Sequence, residues 1–279
     1  MKAMILAAGL GTRLKPLTDT RPKALVEING RTLLEITLTR LRASGVTEVI
    51  INVHHFAAQI IAYLKSNKNF GIRIEISREE ILLDTGGGLK KAAWFFLEDS
   101  ASRIDEPFLL HNVDVISNIN FARMLQFHTD NQALATLAVQ SRETSRYLLF
   151  NDHNQLVGRR IGRDHPPELI RRDLMDGLQE GTASAVPKND KNPGALAPEA
   201  ISSPPFHLLA FSGIHIISPR LLPLLTEEGV FSIIPSYLRL AAQGQKIHSF
   251  RADQYYWRDL GRPADLAQAA LDMKQRTLS

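Results

Sequence analysis

Near the start of the chain, glycine, arginine and lysine recur at a spacing suited to holding phosphates. The first 26 residues read MKAMILAAGLGTRLKPLTDTRPKALV. Ala3 to Ala8 is an apolar run with the length of a buried strand, and it breaks into Gly9-Leu10-Gly11-Thr12-Arg13. Glycines there let the backbone approach a ligand closely and adopt positive φ, and a run of free N–H groups forms an anion cradle. Arg13 adds a planar, permanently charged fork suited to phosphate oxygens. Lys23 follows directly after Pro22 and brings a second cation to the same mouth. Strand, glycine loop, arginine and Pro-Lys together predict a polyphosphate site. The dinucleotide fingerprint would need glycine at position 14, where leucine stands, and the P-loop needs a Gly-Lys pair that the chain lacks.

Three further places could carry chemistry. Asp114 ends the segment LLHNVDV. A carboxylate there can hold Mg²⁺, which prefers oxygen ligands; it can equally cap a helix beginning near Phe121 or serve a turn. Asp84-Thr85-Gly86-Gly87-Gly88 precedes an expected helix. Its exposed backbone groups can read a nucleobase edge, or it is a plain helix-entry loop. His54 and His55 are adjacent on a strand end and point to opposite faces, so a shared metal is not expected. Ser212 has no nucleophile elbow and no evident partners, so serine hydrolysis is not supported.

The elements that position these residues alternate strand with helix. Leu33 to Ala43 is a helix closed by Gly45, Val46 to Val53 a strand, Phe56 to Leu64 a helix and Ile72 to Ile76 a strand. Gly88 to Leu97 reads as helix and Phe108 to Leu110 starts the strand that delivers Asp114. Phe121 to His128 is a helix, Ala133 to Val139 a strand, and Tyr147–Phe150 with Leu156–Gly158 a hairpin. The pattern fails from Arg159 to Phe206, where seven of the fourteen prolines lie. We read 159–206 as an irregular insertion over the active-site side, with a short helix near Leu169 to Leu178. Order resumes with a strand at His207–Ile217, a helix at Phe231–Ala242, a strand at Lys246–Phe250 and a helix at Pro263–Lys274. The expectation is an α/β fold with a mostly parallel sheet, as one domain over 1–279. Ligands in such sheets sit beyond the carboxyl ends of the strands, where Gly9–Arg13 and Asn112–Asp114 both fall.

Composition narrows the function classes. The chain has 279 residues, 44% hydrophobic, and a net charge of +4. The charge is spread, with no basic tail and no nucleic-acid motif, so a phosphate-rich small substrate explains it better than DNA or RNA. No apolar run approaches the roughly 20 residues of a membrane span. The absence of Cys excludes disulfides and thiolate metal sites and fits a cytoplasmic enzyme.

The string LAAGLGTRLKPLTDTRPKAL as a whole resembles the signature of the sugar-1-phosphate nucleotidyltransferases, the nucleoside-diphosphate-sugar pyrophosphorylases. The resemblance is strong over Met1–Val26, moderate through Asp114, and returns from Phe211 to Gly261. It implies a Rossmann-like, mixed, mostly parallel sheet flanked by helices, the nucleotide-diphospho-sugar transferase fold. It implies an enzyme joining a nucleoside triphosphate to a sugar 1-phosphate with release of pyrophosphate and with Mg²⁺ as cofactor. Arg13 would hold the β- and γ-phosphates, Lys23 would stabilise charge at the α-phosphate, and Ala8, Gly9, Gly11 and Thr12 would line the nucleotide. Gly87 and Gly88 would lie against base or ribose. Asp114 would bind the metal, although Val113 stands where the family usually has glycine. Asp259, in Trp257-Arg258-Asp259-Leu260-Gly261, would be the second metal ligand; the alternative is a cap for the last helix. The family's Glu-Lys-Pro element is missing, and Arg159, Arg160 and Arg163 are candidates to hold the sugar phosphate instead. The triple glycine and Phe211-Ser212-Gly213-Ile214 look most like the branch that makes UDP-N-acetylmuramate, favouring UTP and N-acetylmuramate 1-phosphate and a role in cell-wall sugar metabolism. Guanylyl or cytidylyl transfer to mannose or heptose 1-phosphate or to phosphocholine is the alternative. A non-catalytic sugar-nucleotide sensor is the competing class. The expected assembly is a monomer or small homo-oligomer, without nucleic-acid or membrane partners.

Overall fold

The computed structural model describes residues 1–97, 106–162, 164–170 and 206–275. In chain order the elements are β1 (Lys2–Leu6), the small hairpin β2 (Glu27–Ile28) and β3 (Arg31–Thr32), α1 (Leu33–Ala43), β4 (Glu48–Val53), α2 (Ala57–Ser66) and β5 (Arg73–Arg78). Next come α3 (Asp84–Lys91), α4 (Ala93–Leu97), β6 (Phe108–Asn112), β7 (Val115–Ser117), α5 (Phe121–Asp130), β8 (Ala135–Gln140), β9 (Arg146–Phe150) and β10 (Leu156–Ile161). The described chain ends with β11 (Glu168–Leu169), β12 (His207–Ile217), α6 (Ile233–Ala242), β13 (Ile247–Arg251), β14 (Trp257–Asp259) and α7 (Pro263–Gln275).

The main sheet is mixed, in the order β11-β10-β9-β12-β6-β1-β4-β5, with β8 on β12 and β13 on β8. Its centre, β6-β1-β4-β5, is parallel, while β12 runs antiparallel to β6, β8 and β9. Both faces are covered. Ala3, Ile5, Val49 and Ile51 pack with Leu38, Leu41, Ile60 and Met124 from α1, α2 and α5. Met4 and Ile50, one step along each strand, pack on the other face with Leu89, Phe95, Tyr237 and Leu240 from α3, α4 and α6. Side chains alternate faces along a strand, so a sheet covered twice needs these near-continuous apolar runs.

Local signals place the helices. Thr32 caps α1 by accepting the Glu35 N–H at 3.0 Å, the first half of a Thr-x-x-Glu box. Asn120 caps α5 by accepting the Arg123 N–H at 3.0 Å, so Asp114 is not that helix's cap. A third core cluster joins Leu14, Val26, Ile28, Leu33 and Ile116 to Leu260, Leu266 and Ala269, so the C-terminal helix packs beneath the glycine loop.

Within the expected insertion two boundaries differ from the sequence reading. Ordered strand continues past Arg159 to Ile161, and Glu168–Leu169 returns as a strand on β10. Leu169 therefore starts no helix; positions 171–178 of the expected one lie outside the described residues. Backbone pairing to a neighbouring strand, invisible in a polar, proline-rich segment, decided this.

Buried histidines set an acid limit on stability. His128 Nδ1 lies 2.9 Å from Thr136 Oγ1, and His215 Nδ1 lies 2.8 Å from Tyr237 Oη. Burial lowers His128 to about 4 and His215 to about 3. Because the folded values are lowered, this contribution is complete above the unfolded value near 6.5 and is lost as pH falls towards the folded ones. Thermal melts should show Tm declining from about pH 6.5 downwards. A Tm that stays flat to about pH 4.5 contradicts this.

Candidate active site

Parallel register builds the floor of the site. Leu6 at the end of β1 is paired with Asn52 on β4 and Asn112 on β6, so three strands end level. The glycine loop leaves from this row. Asn52 braces it: Oδ1 accepts the Ala7 N–H at 2.7 Å, and Nδ2 donates to Glu79 Oε1 at 2.7 Å. Glu79 Oε2 accepts the Leu83 N–H at 3.0 Å, which ties the start of α3 to the same brace. The two loop glycines do different work. Gly11 has φ +67°, and a Cβ on it would meet Thr18 Cγ2 at 2.9 Å and Lys23 Cβ at 3.2 Å. Gly9 has nothing within 4 Å of its missing Cβ and opens onto the cavity. One glycine shapes the loop and the other leaves room.

Beyond the strand ends lie two cavities of about 460 and 1020 Å³. The smaller is lined by Ala8, Gly9, Gly11, Thr12 and Lys23 at one end and by Leu82, Asp84, Thr85 and Val230 at the other. The larger is bounded by β8–β9, by Phe211–Gly213 of β12 and by Trp257–Asp259. Arg13, Asn112 and Asp114 line both, so they mark the neck where the cavities meet.

Charges concentrate at that neck. Lys23 Nζ donates to Asp114 Oδ2 in a close ion pair, with the Lys23 side chain 10% and the Asp114 side chain 20% exposed. Asp259 reaches the same point through β14, which pairs with β7 so that Asp259 stands opposite Val115, and the Leu260 N–H donates to the Asp114 carbonyl at 2.8 Å. Asp259 is thus a strand residue and not the cap of α7. Its Oδ1 is buried without a hydrogen-bond partner among the described residues. Burial, with the Asp114 charge beside it, holds the Asp259 carboxyl above the usual carboxylate range. Two close carboxylates, one with an orphaned oxygen, form a donor set for a hard cation.

The triple glycine sits elsewhere than expected. Gly86, Gly87 and Gly88 lie inside α3, which begins at Asp84, and they are buried behind the cavity wall. The N–H groups of Gly86 and Gly87 both donate to the Phe231 carbonyl. A Cβ on them would meet Phe231 at 2.4 Å, the Gly229 carbonyl at 2.4 Å, and, from Gly88, Glu79 Oε1 at 2.8 Å. The glycines therefore let α3 press against residues 229–231 and the Asn52–Glu79 brace. Leu82, Asp84 and Thr85, and neither Gly87 nor Gly88, face the smaller cavity.

Residues 2–154 match the Nucleotidyl transferase family. The chain is also 31% identical over 274 residues to an N-acetylmuramate alpha-1-phosphate uridylyltransferase of Caulobacter vibrioides, covering 96% of this chain and 95% of the relative. The chain belongs to the sugar-1-phosphate nucleotidyltransferase family. A mannose-1-phosphate guanyltransferase of Candida albicans is 30% identical over 268 residues, 95% of this chain, but the chain spans only 62% of that relative. Among solved structures, HddC of Yersinia pseudotuberculosis complexed with GMP-PN superposes with a TM-score of 0.66 at 18% identity, over 98% of this chain and 99% of that one. A Bacillus anthracis protein crystallised with sucrose gives a TM-score of 0.72 at 14% identity, over 99% and 96% of the two chains. These likenesses establish the fold of this nucleotidyltransferase.

The proposed sugar-phosphate arginines are dispersed. Arg159 lines the larger cavity, but its Nε donates to Glu168 Oε2 at 2.7 Å. Arg160, the next residue on β10, lies 5.0 Å from the Tyr147 ring centroid and is not part of the cavity wall. Arg163 lies outside the described residues. Sequence reading missed Arg142, whose guanidinium is 3.9 Å from the Trp257 ring centroid and lines the larger cavity. It also missed the Asn52–Glu79 brace. Asn52 at a strand end and Glu79 beyond another carried no spacing signal, because their meeting depends on sheet order. His54 Nδ1 contacts the Glu79 carbonyl at 2.9 Å, while His55 packs on Phe56.

One contact links the two signature segments of this nucleotidyltransferase. A Cβ on Gly261 would meet the Arg13 guanidinium at 2.6–2.9 Å. Gly261→Ala is expected to displace the flexible end of Arg13 and leave the fold intact. Turnover should fall roughly 10- to 100-fold while Tm moves by no more than about 2 °C. Wild-type turnover in a folded Gly261→Ala protein counts against a role for Arg13 at this position.

Proposed function

We propose that the protein joins UTP to N-acetylmuramate 1-phosphate, releasing pyrophosphate and forming the UDP-sugar. The observation that carries the reading is the neck: two cavities share Arg13, Asn112 and Asp114, so a triphosphate in one and a sugar phosphate in the other would meet there. The full-length similarity to the Caulobacter vibrioides uridylyltransferase supports this sugar and base. A phosphate oxygen of the acceptor attacks the α-phosphorus in line and pyrophosphate leaves. The acceptor phosphate is already anionic near neutral pH, so no general base is required; catalysis is positioning plus charge stabilisation.

In this reading Ala8, Gly9, Gly11 and Thr12 hold the nucleotide by backbone contact. Arg13 neutralises the β- and γ-phosphates, and Lys23 stabilises charge developing at the α-phosphate. The base lies against Leu82, Asp84, Thr85 and Val230. Asp114 and Asp259 would hold Mg²⁺, whose bound charge would screen the repulsion between the two phosphates. The orphaned oxygen of Asp259 and the Asp114 carboxylate beside it suit that cation. Among the described residues no third His, Cys, Asp or Glu joins the pair, which leaves positions for phosphate oxygens and water.

A second reading transfers GMP to mannose 1-phosphate, and the Candida albicans relative favours it. A pyrophosphate-release screen with Mg²⁺ decides between them. It crosses UTP, CTP, GTP, ATP and dTTP with N-acetylmuramate, N-acetylglucosamine, glucose, mannose and heptose 1-phosphates and phosphocholine. Turnover with UTP and N-acetylmuramate 1-phosphate is expected. Preference for GTP and mannose or heptose 1-phosphate reverses the assignment. Silence with intact nucleotide binding favours a sensor.

A further inference from the structure

We propose that Arg142 receives the phosphate of the acceptor sugar, in place of Arg159 or Arg160. The inference rests on the reading of the larger cavity as the acceptor site. Arginines are plentiful around that cavity, but most are committed or solvated. Arg159 is paired with Glu168, and Arg258 is paired with Asp272 at 3.0 Å. Arg146 is exposed, and so is Arg262. Arg142 is different. It is partly buried, yet among the described residues no carboxylate forms an ion pair with it.

Its setting fixes the guanidinium without neutralising it. One face stacks on Trp257, at 3.9 Å from the ring centroid. Nη2 donates to the Phe211 carbonyl at 2.7 Å. Nε is buried with no hydrogen-bond partner among the described residues. The indole N–H of Trp257 donates to the Ser212 carbonyl at 2.7 Å, so the stacking platform is itself tied to β12. Stacking on an aromatic face and a single carbonyl bond hold the plane of the fork while leaving donors unspent. Arg142 shares the larger cavity with Asp259, and its stacking partner Trp257 lies on the same strand, β14, two residues before Asp259.

A partly buried cation with unused donors is completed by an anion that takes them up. The acceptor phosphate is the anion that this site must hold, and it must hold it beside Asp259. Lys23 faces Asp114 from the smaller cavity, and Arg142 and Asp259 both line the larger one. A planar fork also suits a terminal phosphate, with two oxygens taken side by side.

The test compares Arg142→Gln, Arg142→Lys and Arg159→Gln by steady-state kinetics and by calorimetric titration with N-acetylmuramate 1-phosphate. Arg142→Gln removes the charge and keeps a polar, amide-bearing side chain. Its acceptor KM is expected to rise roughly 10- to 100-fold with the UTP KM within about twofold of wild type. Arg142→Lys should recover part of the loss, and Arg159→Gln should leave the acceptor KM near the wild-type value. An unchanged acceptor KM in Arg142→Gln overturns the proposal, and so does an acceptor defect in Arg159→Gln instead. If both KM values rise together with a lowered Tm, Arg142 acts as scaffold and the proposal fails. Should Arg142→Gln not fold, Arg142→Lys decides on the same KM split. A wild-type protein without turnover overturns the functional reading separately. The Arg142 assignment is then judged by titration: it stands only if the wild type binds the sugar phosphate and the Arg142 variant loses it.

Discussion

Lys23→Ala is expected to lower kcat by roughly 10²- to 10³-fold while the KM for the nucleoside triphosphate changes by no more than a few fold. Lys23 lies at the neck of the two cavities, nearly out of water, where a fixed cation acts at low effective dielectric. Its charge is of most use once negative charge builds on the transferring phosphate, so its loss should appear in kcat and not in ground-state binding. The ion pair with Asp114 adds a second, separable effect. Without Lys23 the Asp114 carboxylate keeps Asp259 as a neighbour and loses its paired cation. The variant should therefore melt below wild type in metal-free buffer, by about 1–3 kcal/mol of stability. Mg²⁺ should restore part of that stability but not the turnover. Near-wild-type kcat in the folded variant would remove Lys23 from the chemistry.

Asp259→Asn is expected to separate stability from activity in the opposite direction. The Asp259 carboxyl is held above its ordinary range by burial and by the Asp114 charge, and one oxygen has no partner among the described residues. A folded pKa above the unfolded value means that the ionised form costs stability. That cost is absent below the unfolded value and appears as pH rises through the folded one. Asparagine removes it, so at neutral pH the metal-free variant should melt higher than wild type by a few degrees, of order 2–5 °C. The advantage should vanish below about pH 4. Turnover with Mg²⁺ should fall at least about 100-fold, and Mg²⁺ should raise the Tm of wild type but not of the variant. A variant less stable than wild type at neutral pH would show that the carboxylate is satisfied in the fold. An equal Mg²⁺ shift in both proteins would show that the cation binds elsewhere.

The two variants bear on opposite halves of one design. Lys23 forms an ion pair with Asp114. Asp259 is left under strain that a cation would relieve. Gly261 belongs to the same arrangement, because its missing side chain is the space in which Arg13 lies.

The linear sequence determined the strand–helix alternation and the glycine loop with its arginine and lysine. These are local properties. Periodicity, turn chemistry and spacing within one segment are written in neighbouring residues, and the 26-residue signature is long enough to specify a family. It could not assign work to individual glycines, since Gly9 and Gly11 are the same residue type with different surroundings. It misplaced Gly86–Gly88 at the cavity because the reason for three glycines, the close approach of residues 229–231, lies some 140 positions away along the chain. Likewise Arg159 was a reasonable candidate until a returning strand brought Glu168 to it, and Arg142 carried no signal until Trp257 was folded beneath it. Tertiary structure alone decided that Leu6, Asn52 and Asn112 end level and that β14 lays Asp259 beside Asp114. Sheet order and register arise from pairing between distant segments, and a site built at the ends of several strands is decided there.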